Sequence, residues 1–138
     1  MTTLNVQEVP FQYVNQVWPQ VEGYIDAAMH FSGGDYTVDD ARVFATSGQW
    51  SLIVGVDDKN HIHGALLVSY FNRPSARVAF VAAIGGKHIA NKENWAQFEA
   101  IIKLNGATQL EGAARKAIVR LWSRYGMEPK YTIVSKDL

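Results

Sequence analysis

The 138 residues contain no cysteine. That excludes a disulfide scaffold, thiolate metal ligands and a cysteine nucleophile. There is no surplus of either charge: 13 Lys and Arg stand against 13 Asp and Glu. Coating a nucleic acid needs a basic excess, so nucleic acid is not an expected partner. There is also no long hydrophobic run. The longest apolar stretch, Val78 to Gly86, falls far short of the ~20 residues of a membrane helix, and no membrane association is expected. The opening stretch MTTLNVQEVP has neither a basic start nor an apolar centre, so no signal peptide is expected there. Repeats, low-complexity tracts and interdomain linkers are missing as well.

What is present is ordinary globular material. The hydrophobic fraction is 48% and the charged fraction 19%, which argues against intrinsic disorder. The length suits a single domain over residues 1–138 with a real core. Leu4 to Val9 reads as a first strand. From Tyr13 the period changes, and Val14, Val17, Trp18, Val21, Ile25 and Ala28 share one helical face. Gly33-Gly34 is expected to stop that helix. Thr37, with Asp40 three residues on, predicts the cap of a second short helix closed by Gly48.

Three strands are expected next, over 49–56, 61–71 and 77–84. The turns between them are Asp57 to Asn60 and Asn72 to Ser75, and Gly85-Gly86 ends the set. Such short connections make an antiparallel meander. Asn91 or Asn94 then caps a helix carrying Trp95, Phe98, Ile101, Ile102 and Leu104, and Asn105-Gly106 closes it. A short strand over 107–110 follows, then a helix over 113–125 with Ala114, Ala117, Ile118, Leu121 and Tyr125 inward. Gly126 caps that helix, and a last strand is expected over 131–134. The fold class is α/β: a mixed sheet, antiparallel meander plus βαβ unit, flanked by helices.

This element order resembles the GNAT fold of acetyl-coenzyme-A-dependent N-acetyltransferases. The nearest local match is the stretch from Ile118 to Met127, followed by Tyr131 to Leu138. It looks like that family's last helix and terminal strand. In length and layout the chain also looks like small GNAT-like proteins encoded by tailed bacteriophages, some of them virion-associated. The resemblance implies acetyl-CoA, or another CoA-type small molecule, as ligand. It implies that the third meander strand holds pantetheine with the backbone of Ala82, Ala83 and Ile84. It implies that Gly85, Gly86, Lys87 and Lys92, with a helix start behind them, receive the pyrophosphate. Ser69 and Glu111 are the polar groups it brings near the acceptor, and they are the candidate catalytic residues. Glu111 could accept a proton from an amine, or stand as the acidic residue before the last helix.

The sequence also departs from the family. Its glycines sit only at the start of the loop. Trp122 stands where a proton-donating Tyr is frequent, and indole N–H does not deliver a proton. Arg115 stands where an Asn is often found. Two readings therefore stay open. One is a non-catalytic, phage-type binding or virion component, located in the virion or the cytoplasm of a bacterial host, with phage structural proteins as partners. The other is an N-acetyltransferase acting on an amine.

Three further features complete the reading. His61 and His63 share a strand face, but no third ligand sits at a completing spacing, so no metal is expected. His88 falls in the candidate phosphate loop. Lys116, Arg120 and Arg124 form a basic stripe that reads as a solvated face. The neutral total hides a split: residues 1–70 hold two basic and eight acidic side chains, and residues 71–138 hold eleven and five. The acidic half is expected to border the acceptor, and the basic half the anionic cofactor.

Overall fold

A computed structural model describes residues 4–30, 35–86 and 91–138. Five strands form one sheet in the order β1-β2-β3-β4-β5: β1 Asn5–Val9, β2 Trp50–Val56, β3 Ile62–Arg73, β4 Ala76–Gly86 and β5 Gln109–Gly112. The first four are antiparallel neighbours, and β5 runs parallel to β4. The helices are α1 Val14–Met29, after a single 3-10 turn over Phe11–Tyr13, then α2 Val38–Thr46, α3 Lys92–Leu104 and α4 Lys116–Ser123. This is the mixed sheet with flanking helices that the element order predicts. Among the described residues no helix is long and apolar enough to cross a membrane.

Alternation along the strands sorts the core into two layers. On one face Leu52, Val54, Ala65, Leu67 and Ala83 meet Val14, Trp18, Val21 and Ile25 of α1 and Ala41 and Ala45 of α2. On the other, Ile53, Leu66, Val68, Ala79 and Val81 meet Trp95, Phe98 and Ile102 of α3 and Trp122 of α4. All four tryptophans are buried. The cap of α2 forms as the spacing predicts: Thr37 Oγ1 accepts from Asp40 N at 3.1 Å, and Asp40 Oδ2 accepts from Thr37 N at 3.0 Å. Asn91 is the cap of α3, its Oδ1 accepting from Asn94 N at 2.9 Å.

The outer edge of β1 is closed by side chains of α3. Leu4 N donates to Asn94 Oδ1 at 3.1 Å and Val6 N to Gln97 Oε1 at 3.0 Å, while Gln97 Nε2 donates to Leu4 O at 2.9 Å. An unpaired strand edge is thereby satisfied without another strand.

Several expectations need correction. The stop at Gly33-Gly34 lies outside the described residues, and α1 ends at Met29. Gly85-Gly86 does not follow the strand as a turn but forms the last two residues of β4, paired with Ala65 and Gly64. These two positions need glycine because other backbone comes too close. A Cβ on Gly85 would strike the Tyr24 carbonyl of α1, and one on Gly86, at φ +97°, would strike the His63 carbonyl. The β3–β4 turn shrinks to Pro74-Ser75, because the strands pair out to Arg73 and Ala76.

The later elements shift too. Leu104 is exposed, as the last residue of α3 reaching past the sheet. β5 covers 109–112 rather than 107–110. The last helix is shorter than 113–125: Arg115 is an extended N-cap, Ala117 is exposed, and Trp122 takes the buried position. Residues 131–134 form no strand. Tyr131 and Ile133 are exposed, and the tail is tied to β5 by a side-chain ion pair rather than a ladder.

Candidate functional site

The site is set by where β5 leaves β4. Their pairing runs from Val78–Gln109 to Val81–Gly112 and then stops. β4 continues for five more residues, to Gly86, still paired with β3. From Ala82 to Gly86, therefore, no described strand pairs the edge of β4 that faced β5. The register against β3 also slips here: Val68 faces Val81 and Leu67 faces Ala83, leaving Ala82 as the extra residue of a bulge. A bulge turns main-chain groups out of the ladder. Ala82, Ala83 and Ile84 thus lie along an open strand edge, with Ala83 buried on the α1 side and Ile84 half-buried on the α3 side.

One end of the sheet lines up Val6, Gly55, Gly64 and Gly86 in a lateral row. The first turn of α3 stands at that end, since Asn94 holds Leu4 N. Lys92, exposed, is the first residue of α3. Lys87 and His88 lie outside the described residues. The α1 side of this end is closed by Tyr24, whose hydroxyl donates to Ile62 O at 3.1 Å and whose backbone lies on Gly85.

Ser69 and Glu111 fall in one lateral row: Trp50, Ser69, Phe80 and Glu111 are successive partners across β2, β3, β4 and β5. The row places their side chains on the same face, immediately before the strands part. Two inter-strand spacings separate Ser69 from Glu111, roughly 10 Å, so the two do not bond to each other. Glu111 is engaged elsewhere. Arg73 Nη1 donates to its Oε2 at 2.6 Å and Nη2 to its Oε1 at 3.0 Å, and Lys130 Nζ reaches Oε2 at 3.2 Å. The Arg73 guanidinium, opposed by partial burial and assisted by Lys130, holds the Glu111 carboxyl below its ordinary value. Glu111 is thus an ionised, charge-paired carboxylate.

A cavity of about 740 Å³ wraps the free edge of β5. Phe80, Leu110 and Glu111 form one wall, Trp122 and Tyr125 another, and the tail from Gly126 to Ile133 the third. Its carboxylates are Glu99, Glu111 and Glu128. All three come from residues 71–138, the half of the chain that is basic overall. Trp122 stands at the parting itself: a Cβ on Gly112 would lie 2.7 Å from its ring, next to Val81.

Two groupings escaped the sequence reading. Ser51 Oγ donates to Glu8 Oε2 at 2.8 Å and lies 3.1 Å from Tyr70 OH, while Asn105 Nδ2 donates to both Glu8 Oε1 and Tyr70 OH. This network joins β1, β2 and β3 to the end of α3 and is closed on itself. Asp57 takes His63 Nε2 at 2.8 Å, with His61 Nδ1 at 3.6 Å. The basic stripe Lys116, Arg120 and Arg124 is exposed.

No protein-family model and no curated protein matches this chain. Solved structures do. An aminoglycoside acetyltransferase from an uncultured soil metagenomic sample, in complex with sisomicin, superposes with a TM-score of 0.70 at 11% identity, over 98% of this chain and 96% of that one. A predicted acetyltransferase from Clostridium acetobutylicum, with acetyl-CoA, gives 0.62 at 8% identity, over 98% and 96%. A Bacillus halodurans protein gives 0.67 at 13% identity, over 98% and 100%. The open edge of β4 and the layers around it accordingly belong to a GNAT-type acetyltransferase fold.

Proposed function

We propose that residues 1–138 form one GNAT-like domain that binds acetyl-CoA and transfers its acyl group to a primary amine. The observation that carries this reading is the bulge at Ala82 beside the point where β5 departs. The residues fit a pantetheine chain: Ala82, Ala83 and Ile84 offer an unpaired strand edge to an amide-bearing ligand, and Gly85 and Gly86 continue that edge while keeping close to Tyr24 and His63. Lys87 and Lys92, with the N-terminal turn of α3, bring positive charge for the pyrophosphate. Bound acetyl-CoA would supply an activated thioester. The chain's own contribution would then be position: the backbone of Ala82, Ala83 and Ile84 would hold the donor, and the amine would be held beside it. Glu111 attracts the amine as a cation, and Ser69 lines the same row. With Arg73 holding Glu111 ionised, the amine loses its proton to solvent more readily than to this carboxylate.

A second reading has its own observation. Trp122, not a phenol, packs at the parting of the strands. In that reading the chain binds a CoA-type ligand without turnover, as a phage-type component of the virion or the host cytoplasm, with phage structural proteins as partners. The phage setting draws only on length and layout. Mass spectrometry of purified virions tests it, and absence of the chain there removes it.

Calorimetry and thermal shift with millimolar acetyl-CoA test both. A ligand that binds the folded state raises the melting temperature. No binding at that concentration ends the CoA reading altogether. Binding without acetyl transfer to any of a panel of primary amines leaves the second reading alone.

A further inference from the structure

The cavity at β5 is lined by three carboxylates and one ammonium, Lys130. Lys130 belongs to no helix or strand; it comes from the extended tail. Its Nζ lies 3.2 Å from Glu111 Oε2 and 5.4 Å from the centre of the Tyr131 ring. A carboxylate offers roughly four lone-pair sites. Arg73 uses one on each oxygen, so Oε2 has room for a further donor. A flexible alkylammonium with an aromatic face beside it fills that place.

We propose that Lys130 is a built-in occupant of the acceptor subsite, so that the site takes a primary alkylammonium and the tail competes with it. This rests on the acyltransferase reading for its purpose, though the ammonium subsite itself can be tested without turnover. Lys130 is 54% exposed while Glu111 is 20% exposed. Tyr131, Ile133 and Val134 after it are largely in solvent. An ion pair with one exposed partner, on a tail that buries little, is weak and displaceable. Arg73 is different: its two-pronged grip from β3 holds the carboxylate in place whichever ammonium arrives.

The experiment uses the full chain and cadaverine as the alkylammonium probe. Its affinity is read from the Glu111 carboxyl carbon by NMR, and the tail from the Lys130 ε-carbon and the Tyr131 ring signals. Lys130→Ala should bind cadaverine roughly two- to fivefold more tightly than the native chain, because a tethered competitor has been removed. Lys130→Arg should keep the native affinity, and Glu111→Gln should lose the binding. Saturating cadaverine should move the Lys130 and Tyr131 signals to the values of a free tail. Equal affinity in the native chain and Lys130→Ala overturns the proposal, as does cadaverine binding that leaves those two signals unmoved. Acetyl-CoA binding is measured on the same samples. If it is absent while the cadaverine results hold, the acyltransferase reading falls and the ammonium subsite stands. If acetyl-CoA binds and cadaverine does not compete, the subsite falls and the donor slot stands.

Discussion

Arg73, at the end of β3, grips Glu111 of β5 with both terminal guanidinium nitrogens, at 2.6 and 3.0 Å, across the intervening strand β4. The pair fixes the charge state of the carboxylate nearest the parting of the strands. Its pH signature has a definite sign. The folded pKa of Glu111 lies below its ordinary value of 4.5, with Arg73 as the leading cause. The pair therefore stabilises the fold fully above about 4.5 and loses that contribution as pH falls through the lowered folded value. Arg73→Gln should raise the Glu111 titration in carboxyl-carbon NMR, and its stability deficit should shrink in acid. A Glu111 titration unchanged by Arg73→Gln would show that the guanidinium does not set it.

Asp57 makes a second, independent acid signature at the β2–β3 turn. Its pKa is lowered from 3.8 to about 2, first by the His63 side chain and then by main-chain N–H donation from His61 and Lys59. Its contribution is complete above about 3.8 and fades as pH falls through about 2. Asp57→Asn should remove that limb from an acid unfolding curve. An acid limb that persists unchanged in Asp57→Asn would show that the carboxylate held at 2.8 Å by His63 does not set it.

Gln97 substitutes for a strand at the β1 edge, and its loss should register as stability rather than binding. Gln97→Ala strands Val6 N and Leu4 O, both partly buried. Leaving such groups unsatisfied costs about 1–3 kcal/mol. Denaturant unfolding should show a lower midpoint at constant slope. A midpoint equal to that of the native chain would mean water replaces Gln97 without cost.

The parts legible in the sequence are those governed by local rules. Thr37 and Asp40 are three residues apart and form the α2 cap through their own backbone. The face of Val14, Trp18, Val21 and Ile25 follows helical spacing. Ser69 and Glu111 share a row because strand order and register carry them there. The Ala82 bulge was not legible, since a bulge is defined by the partner strand and not by its own residue. Nor was Arg73: read as a turn residue, it is the last residue of a strand, and its partner lies 38 positions on. Gly85-Gly86 carried a turn signal but serves close approach to Tyr24 and His63. Residues 131–134 carried a strand composition, yet a strand forms only where an edge receives it. Here the cavity lies between the tail and β5, and Lys130 reaches across it to Glu111 by its side chain.

Trp122 offers the sharpest separation of turnover from binding. Its ring fits against Gly112 and stands 5.9 Å, centre to centre, from Trp95, which stacks in turn on Tyr125. Trp122→Tyr trims a buried ring and should cost about 1–3 kcal/mol of stability. It also places an ionisable phenol at the parting of β4 and β5, where the proposed donor slot begins. If the chain is a transferase limited by proton delivery, acetyl transfer should rise about a hundredfold, the lower reach of general-acid effects. Trp122→Phe is the control, with a similar loss of packing and no proton to give. Thiol release assayed with acetyl-CoA and a primary amine compares the three chains. A gain in Trp122→Tyr alone assigns the missing proton donor to this position. Equal rates in Trp122→Tyr and Trp122→Phe show that a donor at residue 122 does not limit the reaction, and any activity present then comes from positioning along β4.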